Sequence, residues 1–142
     1  MNRDLELLNF INKNAVMGRD SVDHMIPLAE DPAFRELLES MHEDYNRVCI
    51  SSETLMSAGG ENPEGVSSIA RTMSGAMIDF STIGDRSSAK FASMLLEGTR
   101  RGITELSEKM RIYSGAKEEY MNLAHAFHHI LENNERELHS FI

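Results

Sequence analysis

Apolar residues in this chain recur at steps of three and four over stretches of about 27 residues, and a stretch of that length and period folds as an amphipathic α-helix with one buried face. The first stripe is Leu5, Leu8, Ile11, Ala15, Val22, Met25, Ile26 and Ala29, which predicts a helix over residues 3–30. Asp31-Pro32 follows, an N-cap residue with proline at the first helical position, where a missing N–H does no harm. The second stripe, Phe34, Leu38, Met41, Tyr45, Val48, Ser52 and Leu55, predicts a helix over 32–58 that Gly59-Gly60 stops. A corner this tight makes the two helices antiparallel neighbours.

A shorter stripe at Val66, Ile69, Ala70, Met73, Met77 and Phe80 predicts a helix over 66–82. Asp85 and Ser87 are both able to cap the next one, over 87–113, whose stripe is Phe91, Leu95, Thr99, Ile103, Leu106, Met110 and Tyr113. After Ser114-Gly115 a last helix over 116–141 carries Tyr120, Leu123, Phe127, Ile130, Leu131, Leu138 and Phe141. The chain is therefore all-α, one domain of 142 residues with four long helices of about 40 Å each and one of little more than half that length. A short helix between the second and third long ones lets the chain return to the other end of the bundle, so that those two run parallel. A five-membered up-and-down bundle also satisfies these lengths.

Charge narrows the partners. A formal net charge of -9 repels phosphate backbones and anionic lipid, and no cluster of Lys and Arg offsets it, so neither nucleic acid nor a membrane is an expected partner. The N-terminus Met1-Asn2-Arg3-Asp4-Leu5-Glu6 has no apolar signal-like run, and the single Cys49 excludes an internal disulfide; both point to the cytoplasm.

Four segments carry a family resemblance. They are Phe10-Ile11-Asn12-Lys13-Asn14-Ala15-Val16-Met17-Gly18, the Asp31-Pro32 corner, the Gly59-Gly60-Glu61 stop and Leu96-Glu97-Gly98. Together the chain resembles small bacterial ferritin-like bundles of unknown function, some of whose members are stress-associated. The resemblance implies a ferritin-like antiparallel four-helix bundle with a shorter crossover helix between the second and third long helices. It implies no activity, since fold alone does not carry one.

Ferritin-like carboxylate proteins hold two metal ions with inward glutamates and two Glu-x-x-His pairs, so the metal reading has a specific test. One such pair is present, Glu39-Ser40-Met41-His42. At about 100° per residue, however, Glu39 points roughly 150° from the centre of its helix's apolar stripe, with His42 on the flank. Asp20, Asp23 and Glu97 also fall off their stripes, His125 and His129 project outward, and the most inward polar residue of the last helix is Asn134. Without inward acids a low-dielectric core does not neutralise two such ions. A surface alternative is His128, Glu132, Glu135 and His139, at four-three-four spacing on one flank, which could take a first-row metal ion; a solvated helix face explains the same spacing. No cofactor is expected.

Most of the ten methionines, including Met25, Met41, Met73, Met77 and Met110, fall on core stripes, where unbranched side chains fill irregular gaps. Cys49 has no histidine at a readable spacing, and nearby Glu53 disfavours a thiolate. Gly98 and Gly102 are more informative: both are read as inward, and each weakens the helix by about 1 kcal/mol relative to alanine. Close approach by a large side chain such as Tyr45 or Phe127 is the expected compensation. The alternative is a notch for a small apolar ligand, with Tyr45 or Asn134 supplying a polar contact. Finally, Leu7, Phe10, Met17 and Leu28 form an additional stripe on the first helix. That stripe makes protein contacts the leading functional expectation, in a non-catalytic bundle that forms a homodimer.

Overall fold

The computed structural model describes residues 3–59 and 84–142, which form four α-helices. They are α1 (Arg3–Met25), α2 (Pro32–Ala58), α3 (Ser88–Ile112) and α4 (Glu118–His139). The expected connecting helix over 66–82 lies outside the described residues. Three of the four predicted spans agree to within two residues at each end, and α1 is the exception. It stops at Met25 and tightens into a 3-10 turn over Ile26–Leu28, because Pro27 has no N–H to donate and its ring would press on a carbonyl one turn back. Asp31 caps α2 through its side chain, which accepts from the Ala33 N–H at 3.1 Å. Of the two possible caps of α3, Ser87 performs the role, accepting from the Lys90 N–H at 3.2 Å. Asp85 instead accepts from the Ser87 N–H at 2.9 Å, and that bond holds its carboxyl below the usual range.

The helices pack pairwise as a bundle. α1 lies along α2 and α3 along α4, and the two hairpins meet through α2 against α4 and α1 against both α3 and α4. End contacts fix the directions. Ser88, the first residue of α3, donates to the Asp31 cap of α2 at 3.2 Å, so α2 and α3 start at the same end. At the other end, Lys117 N–H donates to Asp4 at 3.2 Å and Tyr113 donates to Glu6, bringing the α3–α4 corner onto the start of α1.

The predicted stripes supply most of the core. Leu8, Ile11, Ala15, Val22, Met25, Phe34, Leu38, Met41, Val48, Phe91, Leu106, Phe127, Leu131 and Leu138 are buried. Edge-to-face ring pairs join α2 to the end of the chain, Phe34 on Phe141 with centroids 5.1 Å apart, and to α4, Tyr45 on Phe127 at 6.3 Å. Among the described residues no helix is long and apolar enough to cross a membrane.

Candidate ligand cavity

The first constraint on the centre of the bundle is a glycine that the sequence pattern did not single out. A Cβ on Gly18 of α1 would stand 2.8 Å from Tyr45 Cζ, so this glycine lets the Tyr45 ring lie flat against the α1 backbone. The close approach expected at Gly98 or Gly102 occurs here instead. At Gly98 no atom of the described residues lies within 4 Å of where a Cβ would be, and Gly102 meets only Leu131 Cδ1 at 3.6 Å. Gly98 is also exposed and Gly102 half-buried, against the expectation that both face inward. The reason is geometric: α3 packs chiefly on α4, which turns this flank of α3 towards α1 without closing against it.

Between α1 and α3 the result is a cavity of about 410 Å³. Its walls are Phe10, Met17, Val22 and Met25 from α1 and Met94, Leu95, Gly98 and Gly102 from α3; Tyr45, Phe127 and Leu131 form its floor. Phe10 and Met17, read from sequence as part of a free outer stripe, thus line a cavity within one chain, while Leu7 of the same stripe is buried and Leu28 half-buried. Among the described residues the large apolar side chains that stay exposed are Ile50, Ile112 and Ile142, at 57%, 41% and 59%. They lie on α2, at the end of α3 and at the last residue of the chain, far apart in sequence.

Polar groups sit below and around this apolar space. Asn134, buried on α4, donates to the Tyr45 hydroxyl over a long 3.5 Å, and Thr99 hydrogen-bonds its own helix at the Leu95 carbonyl, at 2.7 Å. Burial pushes the Tyr45 phenol above its ordinary value, while the Asn134 and Thr99 contacts act the other way. Of the four residues named for a ligand notch, Tyr45, Gly98 and Gly102 line the cavity, and Asn134 lies behind Tyr45. Gly18, Thr99, Lys13, Asn14, Ser21, Arg101 and Glu105 complete the lining.

No family model, curated protein or solved structure matches this chain.

The candidate metal ligands are placed differently. Glu39 is exposed, and His42 is half-buried on the α2 flank with Nε2 3.7 Å from Asp23 of α1. On α4, His128 Nδ1 faces Glu132 at 3.2 Å while its Nε2 lies 3.0 Å from Ser107 Oγ of α3. Glu135 takes the Arg100 guanidinium at 3.0 Å, and His139 is exposed. Two of the four, His128 and Glu135, thus make contacts from α4 to α3. Among the described residues no three His, Cys, Asp or Glu side chains come together as a metal-binding group.

The α1–α2 seam holds a second polar set. Asn12, fully buried, donates to Ser52 at 2.8 Å, and Ser52 in turn donates to the Cys49 carbonyl at 3.0 Å. Arg19 reaches Asn46 at 3.2 Å and Asp20 at 3.5 Å, yet Asp20 Oδ2 is buried without a hydrogen bond. Burial pushes the Cys49 thiol up to about 11, with Arg19 opposing and Glu53 and Asp20 adding to the rise. A protonated, enclosed sulfur of this kind is structural in character. Asp20 was read as lying off the stripe, and it does; no periodicity signals that its carboxylate is nonetheless largely covered.

Proposed function

We propose that this chain is a small-ligand binding bundle, which holds an apolar molecule between α1 and α3. One observation carries the reading: a 410 Å³ cavity faced by Phe, Met and Leu side chains, at which α3 presents glycines and no atom of the described residues fills the space beside Gly98. The space opens to solvent at Gly98 and Arg101, and an open cleft with apolar walls of this size is a usual mark of a ligand-binding groove. Ligand sites of about 300–1,000 Å³ with mostly apolar walls and a few polar groups are the usual form. The function assigned is binding, with Tyr45 as the polar group at the floor.

The scaffold we infer is the single-crossover, ferritin-like arrangement. It rests on the contact of Ser88 with Asp31, which starts α2 and α3 at one end, and on Gly59, at the end of α2, lying beside the Tyr120 hydroxyl at the start of α4. In this arrangement the cavity lies between two helices that belong to different hairpins, where spacing is easiest to widen without breaking either pair.

The test is a titration with the neutral dye N-phenyl-1-naphthylamine, whose emission rises in apolar surroundings. Saturable binding at one site per chain, lost in Gly98→Leu while helix content is kept, supports the reading. Emission that rises without saturation, or that Gly98→Leu leaves unchanged, contradicts it.

A further inference from the structure

The charges around the cavity specify more than an apolar body, given that the cavity is a ligand site. Its lining includes two cations, Lys13 of α1 and Arg101 of α3, against one anion, Glu105, in a chain whose net charge is -9. This is a local reversal of sign. Lys13 has no hydrogen bond or ion pair to any described residue, and Arg101 pairs with the exposed Glu97 one helical turn away, at 3.5 Å. Both side chains are long and exposed, whereas the walls and floor behind them are apolar. Lys109 Nζ also lies over the Phe10 ring, 5.7 Å from its centroid, so three cations stand against the carboxylates of Glu97 and Glu105, and a ligand that fills the interior leaves its head at a rim with net positive charge.

We propose that the ligand is a monoanionic amphiphile, an alkyl or aryl carboxylate, whose body lies among Phe10, Met17, Leu95 and Phe127 and whose carboxylate sits between Lys13 and Arg101. Arginine suits this role because its planar fork matches the two carboxylate oxygens. Against Lys13, Arg101 and Lys109, the carboxylates of Glu97 and Glu105 leave a surplus of one at the rim, which matches a single negative head. Volume sets the size. At about 30 Å³ for each atom-sized unit the space takes a body of roughly a dozen non-hydrogen atoms.

Decanoate, 1-decanol and decylamine share one tail and differ in head charge, so calorimetric titration of the full chain with each, below the micelle concentration and at low salt, separates the two claims. We expect decanoate to bind about tenfold more tightly than decanol, and decylamine the most weakly. The double variant Lys13→Ala/Arg101→Gln brings decanoate down to the level of decanol, while decanol itself binds as before, which also reports that the variant is folded. Glu105→Gln strengthens decanoate binding. If decanol equals or exceeds decanoate, and Gly98→Leu abolishes both, the head-group assignment is overturned while the cavity remains a ligand site. If none of the three binds, both fall together.

Discussion

Tyr45 and Cys49 lie one turn apart on α2 and make opposite kinds of demand on the fold. Tyr45 needs the bare backbone of Gly18, so Gly18→Ala should destabilise despite alanine's better helix propensity: overpacking costs about 1–3 kcal/mol, against a gain of up to about 1. A drop in the urea midpoint checks this. Removing the hydroxyl in Tyr45→Phe leaves the buried Asn134 amide without that acceptor, and the expected loss is about 1 kcal/mol. Cys49 supplies a pH dependence. Its folded value, pushed up to about 11, lies above the reference value of 9.0, so between those values the unfolded chain gives up the proton first. Stability is then fully present below pH 9 and declines as pH rises towards 11, and the raised Tyr45 phenol extends the same trend. Cys49→Ala should flatten the first part of that decline in urea unfolding measured from pH 8 to 11. A decline of equal steepness in the variant would remove Cys49 as its cause. The Gly18 partner of Tyr45 was not legible from spacing, because the two meet only once two helices have been set side by side.

Among the elements, the boundaries were the most legible part. Asp31 followed by Pro32 marks its own helix start chemically, and the predicted span of 32–58 is the one α2 adopts. The overrun of α1 has a single cause: its stripe continues through Ile26 and Ala29, and a pattern of apolar residues does not register that Pro27 lacks a donor. On α3 the glycines were recognised as a cost, but which way they faced was misread. A periodicity averaged over the helix pointed both inward, and it missed that one flank of α3 stands off from α1. This makes Gly98→Ala an informative variant. It should stabilise α3 by up to about 1 kcal/mol and raise Tm by a few degrees, since a Cβ there meets no described atom. The same substitution narrows the cavity edge, so dye affinity should fall as Tm rises; a gain in both would mean that the glycine is unrelated to binding. Asp31→Ala, in contrast, removes the cap of α2 and the contact with Ser88 together, for a loss of about 1–2 kcal/mol read by chemical denaturation.

For the molecule as a whole, stripes that were assigned to separate tasks converge on one place. The extra apolar stripe of α1 was read as a surface for another protein, and the glycines of α3 as a packing notch; Phe10, Met17, Gly98 and Gly102 line a single cavity. Sequence periodicity describes one helix at a time, whereas a cavity is a property of the distance between two, and that is why its parts were visible and their sum was not. The all-α class and the four long helices of the described residues, in contrast, depend on each stripe separately and were readable directly. Binding requires that the space between α1 and α3 be open to an apolar guest. A crystal of the protein pressurised with xenon tests it without any choice of ligand, since xenon enters apolar cavities and scatters strongly. Xenon is expected between Phe10, Met17, Leu95 and Phe127, and none in Gly98→Leu; side chains closed over that position, with no xenon there in the unaltered protein, would mean that the cavity takes no guest.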